Sequence, residues 1–113
     1  MHEYSIVQSL IESCEAHLKE YEASRVTKLF VKIGIMSGVE PHLLEEAFAL
    51  FKKGGICDSS EFVMHIQRVK IECQACYGVY ELDRNEYICP KCNSVELKVL
   101  DGEDMFLMSL EME

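Results

Sequence analysis

The sequence predicts an α+β fold: a three-stranded sheet packed by two helices, with a four-cysteine module inserted before the last strand. Three observations predict it. Two segments, Val7 to Tyr21 and Leu43 to Phe51, carry apolar residues at helical spacing. Three others, Val26 to Ile35, Glu61 to Glu72 and Phe106 to Met112, are rich in β-branched and aromatic residues or alternate with period two. Two Cys-x-x-Cys pairs fall between the second and third of those strands.

The first helix is expected from about Ser5 to Glu22, opened by Ser5 and Gln8 as a capping box. Val7, Leu10, Ile11, Cys14, Leu18 and Tyr21 form its apolar stripe, and Glu12, Glu15, Lys19, Glu20 and Glu22 fill most of the other face. The first strand starts at Val26 and ends near Gly34, although its alternation is imperfect. Pro41 suits the first position of the second helix, and Gly54-Gly55 stops it. Glu61 to Glu72 reads as one long strand. Its alternation shifts from Phe62, Met64 and Ile66 to Val69 and Ile71, which calls for a bulge near Gln67-Arg68. Asp101-Gly102 is a turn, and Phe106, Met108, Leu110 and Met112 alternate as a last strand. The expected division is residues 1–72 and 101–113 as an α/β domain, with residues 73–100 as the inserted module.

Composition narrows the function. A chain of 113 residues suggests one domain, and 49% hydrophobic residues suffice for a core. Stability of about 0.1 kcal/mol per residue leaves little margin, so a metal staple would matter wherever the core is thin. The 20 acidic and 11 basic residues give a net charge of −9, which argues against nucleic acid, whose binders need a basic footprint. No apolar run approaches the ~20 residues that span a bilayer, and the N-terminus lacks a signal-peptide pattern. The expected compartment is cytoplasmic, where six cysteines serve as metal ligands or free thiols more often than as disulfides.

Cys73-Gln-Ala-Cys76 and Cys89-Pro-Lys-Cys92 are separated by twelve residues. Two tight turns can thus present four thiolates to one ion, a soft tetrahedral set that suits Zn(II). Iron of the rubredoxin type takes the same ligands. Dithiol redox chemistry would use one pair at the start of a helix, not two facing pairs. Four sulfurs fill the tetrahedron, so the site is structural rather than catalytic. The insert is too short to fold on burial alone, and metal binding would be coupled to its folding. Cys14 reads as core, and Cys57 has no visible role.

Met1-His2-Glu3 offers a second metal site. A bulky second residue disfavours removal of Met1. Its α-amine, the His2 amide nitrogen and the His2 imidazole can then close adjacent chelate rings on one ion, extended by the Glu3 amide. Such a planar nitrogen set suits Ni(II) or Cu(II). The plain alternative is a frayed chain end. His17, His42 and His65 read as ordinary surface or half-buried residues.

The opening Met-His-Glu-Tyr-Ser, the order of helices and strands, the paired cysteines and the closing Ser109-Leu110-Glu111 together resemble the HypA family of hydrogenase maturation proteins over the whole chain. The resemblance implies a nickel metallochaperone with Ni(II) at Met1, His2 and Glu3, and structural Zn(II) on Cys73, Cys76, Cys89 and Cys92. Family members often bring an acidic residue toward the nickel from the loop before the second helix. Glu40 stands there in this chain, as a ligand or as a helix-start carboxylate favoured by the helix dipole. Some members carry a His beside each cysteine pair, whereas this chain has Tyr77-Gly78 and Asn93. The implied partners are a HypB-type GTPase, the hydrogenase large subunit and, in urease-producing cells, a urease accessory protein. No nucleophile–base pair or phosphate loop points to an enzyme. The competing reading is a zinc-ribbon module that binds protein or nucleic acid and needs nothing special at His2.

Overall fold

A computed structural model describes residues 3–82 and 86–113. The elements in chain order are α1 (Glu3–Glu20), β1 (Val26–Gly34), α2 (Pro41–Phe51), β2 (Glu61–Gln67), β3 (Lys70–Cys73), β4 (Val79–Glu81), β5 (Leu97–Asp101) and β6 (Met105–Met112). They build two three-stranded sheets. The first has the order β2-β1-β6, with β2 parallel and β6 antiparallel to β1. The second has the order β4-β3-β5 and is antiparallel throughout. The expected α+β architecture stands, with the four-cysteine insert carrying a small sheet of its own.

Both helices lie on one face of the first sheet. Val7, Leu10, Cys14 and Leu18 of α1 meet Leu44, Ala47 and Phe48 of α2 over Val26, Leu29, Val31 and Ile33 of β1. Their spacing along each helix is the i, i+3/i+4 pattern that makes one apolar stripe. Phe48 stacks on Phe62 of β2 with ring centroids 4.4 Å apart. The parallel β1–β2 pair needs a crossover, and α2 supplies it. At the end of α1, Glu22 takes a left-handed φ of 55°, and the Ala23 N–H reaches back to the Leu18 carbonyl at 2.9 Å, closing the helix as a Schellman turn.

Four local expectations are corrected. Helix α1 already runs at Glu3, so Ser5 lies within its first turn and is not a cap. The segment Glu61 to Glu72 is not one bulged strand. Its phase shift marks the point where the chain leaves the first sheet after Gln67 and enters the second at Lys70. Leu97–Asp101 is a further strand, whose half-buried Leu97 and Val99 alternate with exposed Lys98 and Leu100. In β6, Phe30 of β1 pairs with Ser109 and Val31 pairs with Leu107, leaving Met108 as an extra residue. That bulge flips the face, so Leu110 and Met112 pack on the core while Phe106 and Met108 are exposed. A second register shift, between Val26 and Lys28, accounts for the imperfect alternation of β1.

The two sheets meet at Gly34 and Gly102. A Cβ on Gly34 would overlap the Gly102 carbonyl, and Gly102 holds a φ of +103°, where a Cβ would overlap the backbone of Arg68 and Val69. The Met36 N–H bonds to the Gly102 carbonyl at 2.9 Å, and the Ile35 N–H bonds to that of Gln67 at 2.8 Å. Lys32 of β1 pairs with Asp101 of β5 at 2.6 Å, which holds the Asp101 carboxyl below the usual carboxylate range. The second sheet projects from the first. The radius of gyration is 17.2 Å, against about 13 Å for a compact chain of this length. Its own core is thin: Val69, Ile71 and Leu82, with Tyr80, Leu97 and Val99 packed against them. Among the described residues, no helix is long and apolar enough to cross a membrane.

Candidate metal centre

The two cysteine pairs fold as near copies of one turn. In the first, the Cys73 N–H bonds to the Gly78 carbonyl and the Tyr77 N–H to the Cys73 carbonyl, both at 2.9 Å. In the second, the Cys89 N–H bonds to the Ser94 carbonyl and the Asn93 N–H to the Cys89 carbonyl, again at 2.9 Å. Tyr77 and Asn93, the residue after each pair, both take a left-handed φ, of 60° and 62°. Backbone N–H groups inside each turn point at its first sulfur: Ala75 and Cys76 at Cys73 Sγ, both 3.4 Å, and Cys92 at Cys89 Sγ, 3.5 Å. These donors favour the ionised form of the sulfur that a metal requires.

The sulfurs of Cys73, Cys76, Cys89 and Cys92 all lie within 4.8 Å of one another. Cys73 Sγ is 3.5 Å from Cys92 Sγ, and Cys76 Sγ is 3.8 Å from Cys89 Sγ. A tetrahedron with metal–sulfur bonds of about 2.3 Å has edges of about 3.8 Å, so the donor set fits a tetrahedral thiolate-binding ion. Cys73 and Cys89 are buried, and Cys76 and Cys92 are exposed.

The four thiols ionise unequally, because hydrogen bonds to them and between them favour the thiolate at some positions and oppose it at others. The Gly78 N–H, followed by the Tyr80 hydroxyl and the thiols of Cys73 and Cys89, lowers Cys76 to about 6 against burial. The N–H groups of Cys76 and Ala75 lower Cys73. The Ser94 N–H works to lower Cys92, but Cys73, burial, Cys89 and Cys76 together push it up to about 12. Four thiols this close cannot all ionise without a cation among them, and a divalent ion removes that obstacle. The Tyr80 hydroxyl, 3.8 Å from Cys76 Sγ, is itself raised to about 12 by its bond to that sulfur.

Of the other expected site residues, Met1 and His2 lie outside the described residues. Glu3 opens α1 and is buried, and its carboxylate accepts the Glu40 N–H at 3.2 Å. Glu40 precedes Pro41 in extended conformation, and its own carboxylate accepts the His42 N–H at 3.4 Å, as a helix cap does. Glu3 and Glu40 are thus brought together, a contact that no spacing announces. His17 donates Nδ1–H to the Ser13 carbonyl at 2.7 Å, and His42 faces Glu46 at 3.1 Å on the exposed side of α2. Neither these two nor His65 belongs to the cysteine cluster.

The family description "Hydrogenase/urease nickel incorporation, metallochaperone, hypA" matches residues 1–112. The chain belongs to the HypA family. A relative from Shewanella sp. (strain MR-7), named hydrogenase maturation factor HypA, is 52% identical over all 113 residues of this chain and 96% of its own length. The protein of that name from Aquifex aeolicus (strain VF5) is 47% identical over the whole chain and 98% of its own length. The solution structure of the Ni metallochaperone HypA from Helicobacter pylori superposes with a TM-score of 0.70 at 35% identity, over 99% of this chain and 97% of that one. Likeness to the HypA family therefore runs through both sheets and the cysteine turns of the second.

Sequence reasoning missed Tyr80 and Cys57. Gly78 is the signal that could have revealed Tyr80, because a Cβ at that position would overlap the Tyr80 hydroxyl. Cys57 is buried against Cys14, and the hydrogen bond between the two thiols raises Cys14, with burial adding to it, and lowers Cys57 against burial. The pair joins α1 to the segment after α2 within one core.

Proposed function

We propose that this chain binds Ni(II) at its N-terminus and delivers it during [NiFe]-hydrogenase maturation, and in urease-producing cells during urease maturation. The match to the HypA family over residues 1–112, with Met1-His2-Glu3 at its start, carries this reading. The proposed ligands are the Met1 α-amine, the amide and imidazole nitrogens of His2 and the amide of Glu3, a planar nitrogen set that selects nickel by geometry. The bond from the Glu40 N–H to the Glu3 carboxylate supports a bracing role for Glu3, which ties the start of α1 to the loop before α2. That loop brings Glu40 beside the proposed set, where its carboxylate, which caps α2 through the His42 N–H, is the proposed further ligand. A carrier must give up its metal to a partner, and a chelate at a chain end is open to ligand exchange. No substrate bond changes in such a transfer, so no enzymatic role is proposed.

Zn(II) on Cys73, Cys76, Cys89 and Cys92 is the proposed resident metal, supported by the four convergent sulfurs and the thin core around them. In this reading residues 1–72 and 101–113 handle nickel, and residues 73–100 form the zinc module. The proposed setting is the cytoplasm, with a HypB-type GTPase, the hydrogenase large subunit and a urease accessory protein as partners.

Calorimetric titration with Ni(II) tests the carrier reading. His2→Ala, and separately two residues added before Met1, should each weaken nickel binding at least about 100-fold, or roughly 2.8 kcal/mol. Zinc should stay at one ion per chain by elemental analysis. Equal nickel affinity in the altered and unaltered chains would refute the terminal site.

A further inference from the structure

We propose that the Tyr80 hydroxyl donates a hydrogen bond to the Cys76 thiolate of the zinc site, with Gly78 leaving the space that admits it. Tyr80 is then a positioning residue for the metal, not a ligand. The inference rests on the zinc reading above, and its test separates the two.

Three observations carry it. The Tyr80 oxygen lies 3.8 Å from Cys76 Sγ. Tyr80 is the middle residue of β4, paired with Ile71 of β3, and its ring packs against the second core. The sheet therefore fixes where the hydroxyl ends up. Gly78 lies directly beneath: a Cβ there would overlap the hydroxyl and two ring carbons of Tyr80. The phenol occupies the volume that any larger residue at that position would fill.

The chemistry explains why a donor matters at this sulfur. Cys76 is one of the two exposed members of the set, so its thiolate is open to protons and chelators. Groups behind the ligands orient them and commonly change metal affinity about 10- to 100-fold when removed. A hydroxyl donating to an anionic sulfur lowers the energy of its lone pairs, so the exposed thiolate is less readily protonated, and protonation is the step that detaches it from the metal. Four sulfurs already complete the coordination, so the phenol oxygen has no position on the ion.

The test uses the full chain in its unaltered form and as Tyr80→Phe, with Tyr77→Phe as a control. Tyr77 adjoins Cys76, but its side chain is exposed. One zinc per chain in the unaltered protein reports on the zinc reading by itself. Tyr80→Phe should release zinc to a chromogenic chelator about tenfold faster. In the Co(II)-substituted protein its sulfur-to-cobalt charge-transfer band should move to longer wavelength, because the thiolate has lost its donor. Tyr77→Phe should leave both readouts unchanged. Gly78→Ala, which displaces the hydroxyl without deleting it, should shift the band the same way and add nothing in combination with Tyr80→Phe. The band decides the matter: if it does not move in Tyr80→Phe, the ring only packs and the proposal is overturned, whatever the release rate. Should Gly78→Ala fail to fold, the band of Tyr80→Phe still separates a hydrogen-bond donor from a packing ring.

Discussion

Replacing Cys89 with serine should abolish metal retention and melt the second sheet while the first sheet stays folded. Cys89 is fully buried, receives the Cys92 N–H, and faces Cys76 Sγ at 3.8 Å. Serine shortens the side chain and exchanges a soft thiolate for a hydroxyl that does not ionise at neutral pH. The second sheet has little else to hold it. Among the described residues, three buried ones form its core, whereas the first sheet and its helices share twelve. Zinc bound to such a module contributes on the order of 10 kcal/mol, and the loss of one ligand forfeits most of it. Amide hydrogen exchange followed residue by residue is the check. Protection should vanish in β3, β4 and β5 and persist in β1 and β6, and a strong chelator should produce the same pattern in the unaltered chain. Retained protection around Ile71 after metal loss would show that the small core suffices alone.

Phe48→Ala should do the reverse. Phe48 is buried, stacks on Phe62, and carries the Lys52 ammonium 5.8 Å from its ring centroid. Truncating a buried phenylalanine costs about 4 kcal/mol through lost burial and the cavity left behind. A chain of this length has roughly 11 kcal/mol in total, so the variant should fold, with its midpoint lowered by roughly 15 °C. Zinc content should not change, because the damage lies in the other core. Paired thermal unfolding and zinc-release measurements would show this. A loss below about 1 kcal/mol would mean that Phe48 is not central to the packing of α2 on the sheet.

The parts of the fold that repeat a period were legible in the sequence. The stripes of α1 and α2 came through because helical burial follows directly from spacing. The cysteine turns came through because four thiols in two short turns have few other uses. Places where the chain changes partner were not legible. The shift of phase after Ile66 was visible, but a bulge and a passage to another sheet leave the same trace in one strand, and only the pairing of Lys70 with Glu81 and Asp101 separates them. The Met108 bulge was hidden because Phe106 and Met108 continue the apolar alternation of Leu110 and Met112 while facing away from the core.

At the sites, the four sulfur ligands were readable, but the groups behind them were not. Tyr80 reaches Cys76 through the register of β4 on β3, and Glu3 reaches Glu40 across the α1–α2 interface. Cys57 meets Cys14 from a distant part of the chain, beyond β1 and α2. Contacts of this kind follow from tertiary packing, which spacing along the chain does not encode. For Glu40 the two sequence-level alternatives bear unequally on the structure: its carboxylate does accept the His42 N–H, as a capping side chain would.

Nickel K-edge absorption on the chain loaded with one equivalent of Ni(II), its native Met1 exposed, addresses the delivery role most directly. A first shell of nitrogen with the outer-shell scattering of one imidazole, lost in His2→Ala, is the expected spectrum. A sulfur-dominated shell, or an imidazole signal that survives His2→Ala, would contradict nickel capture at the N-terminus.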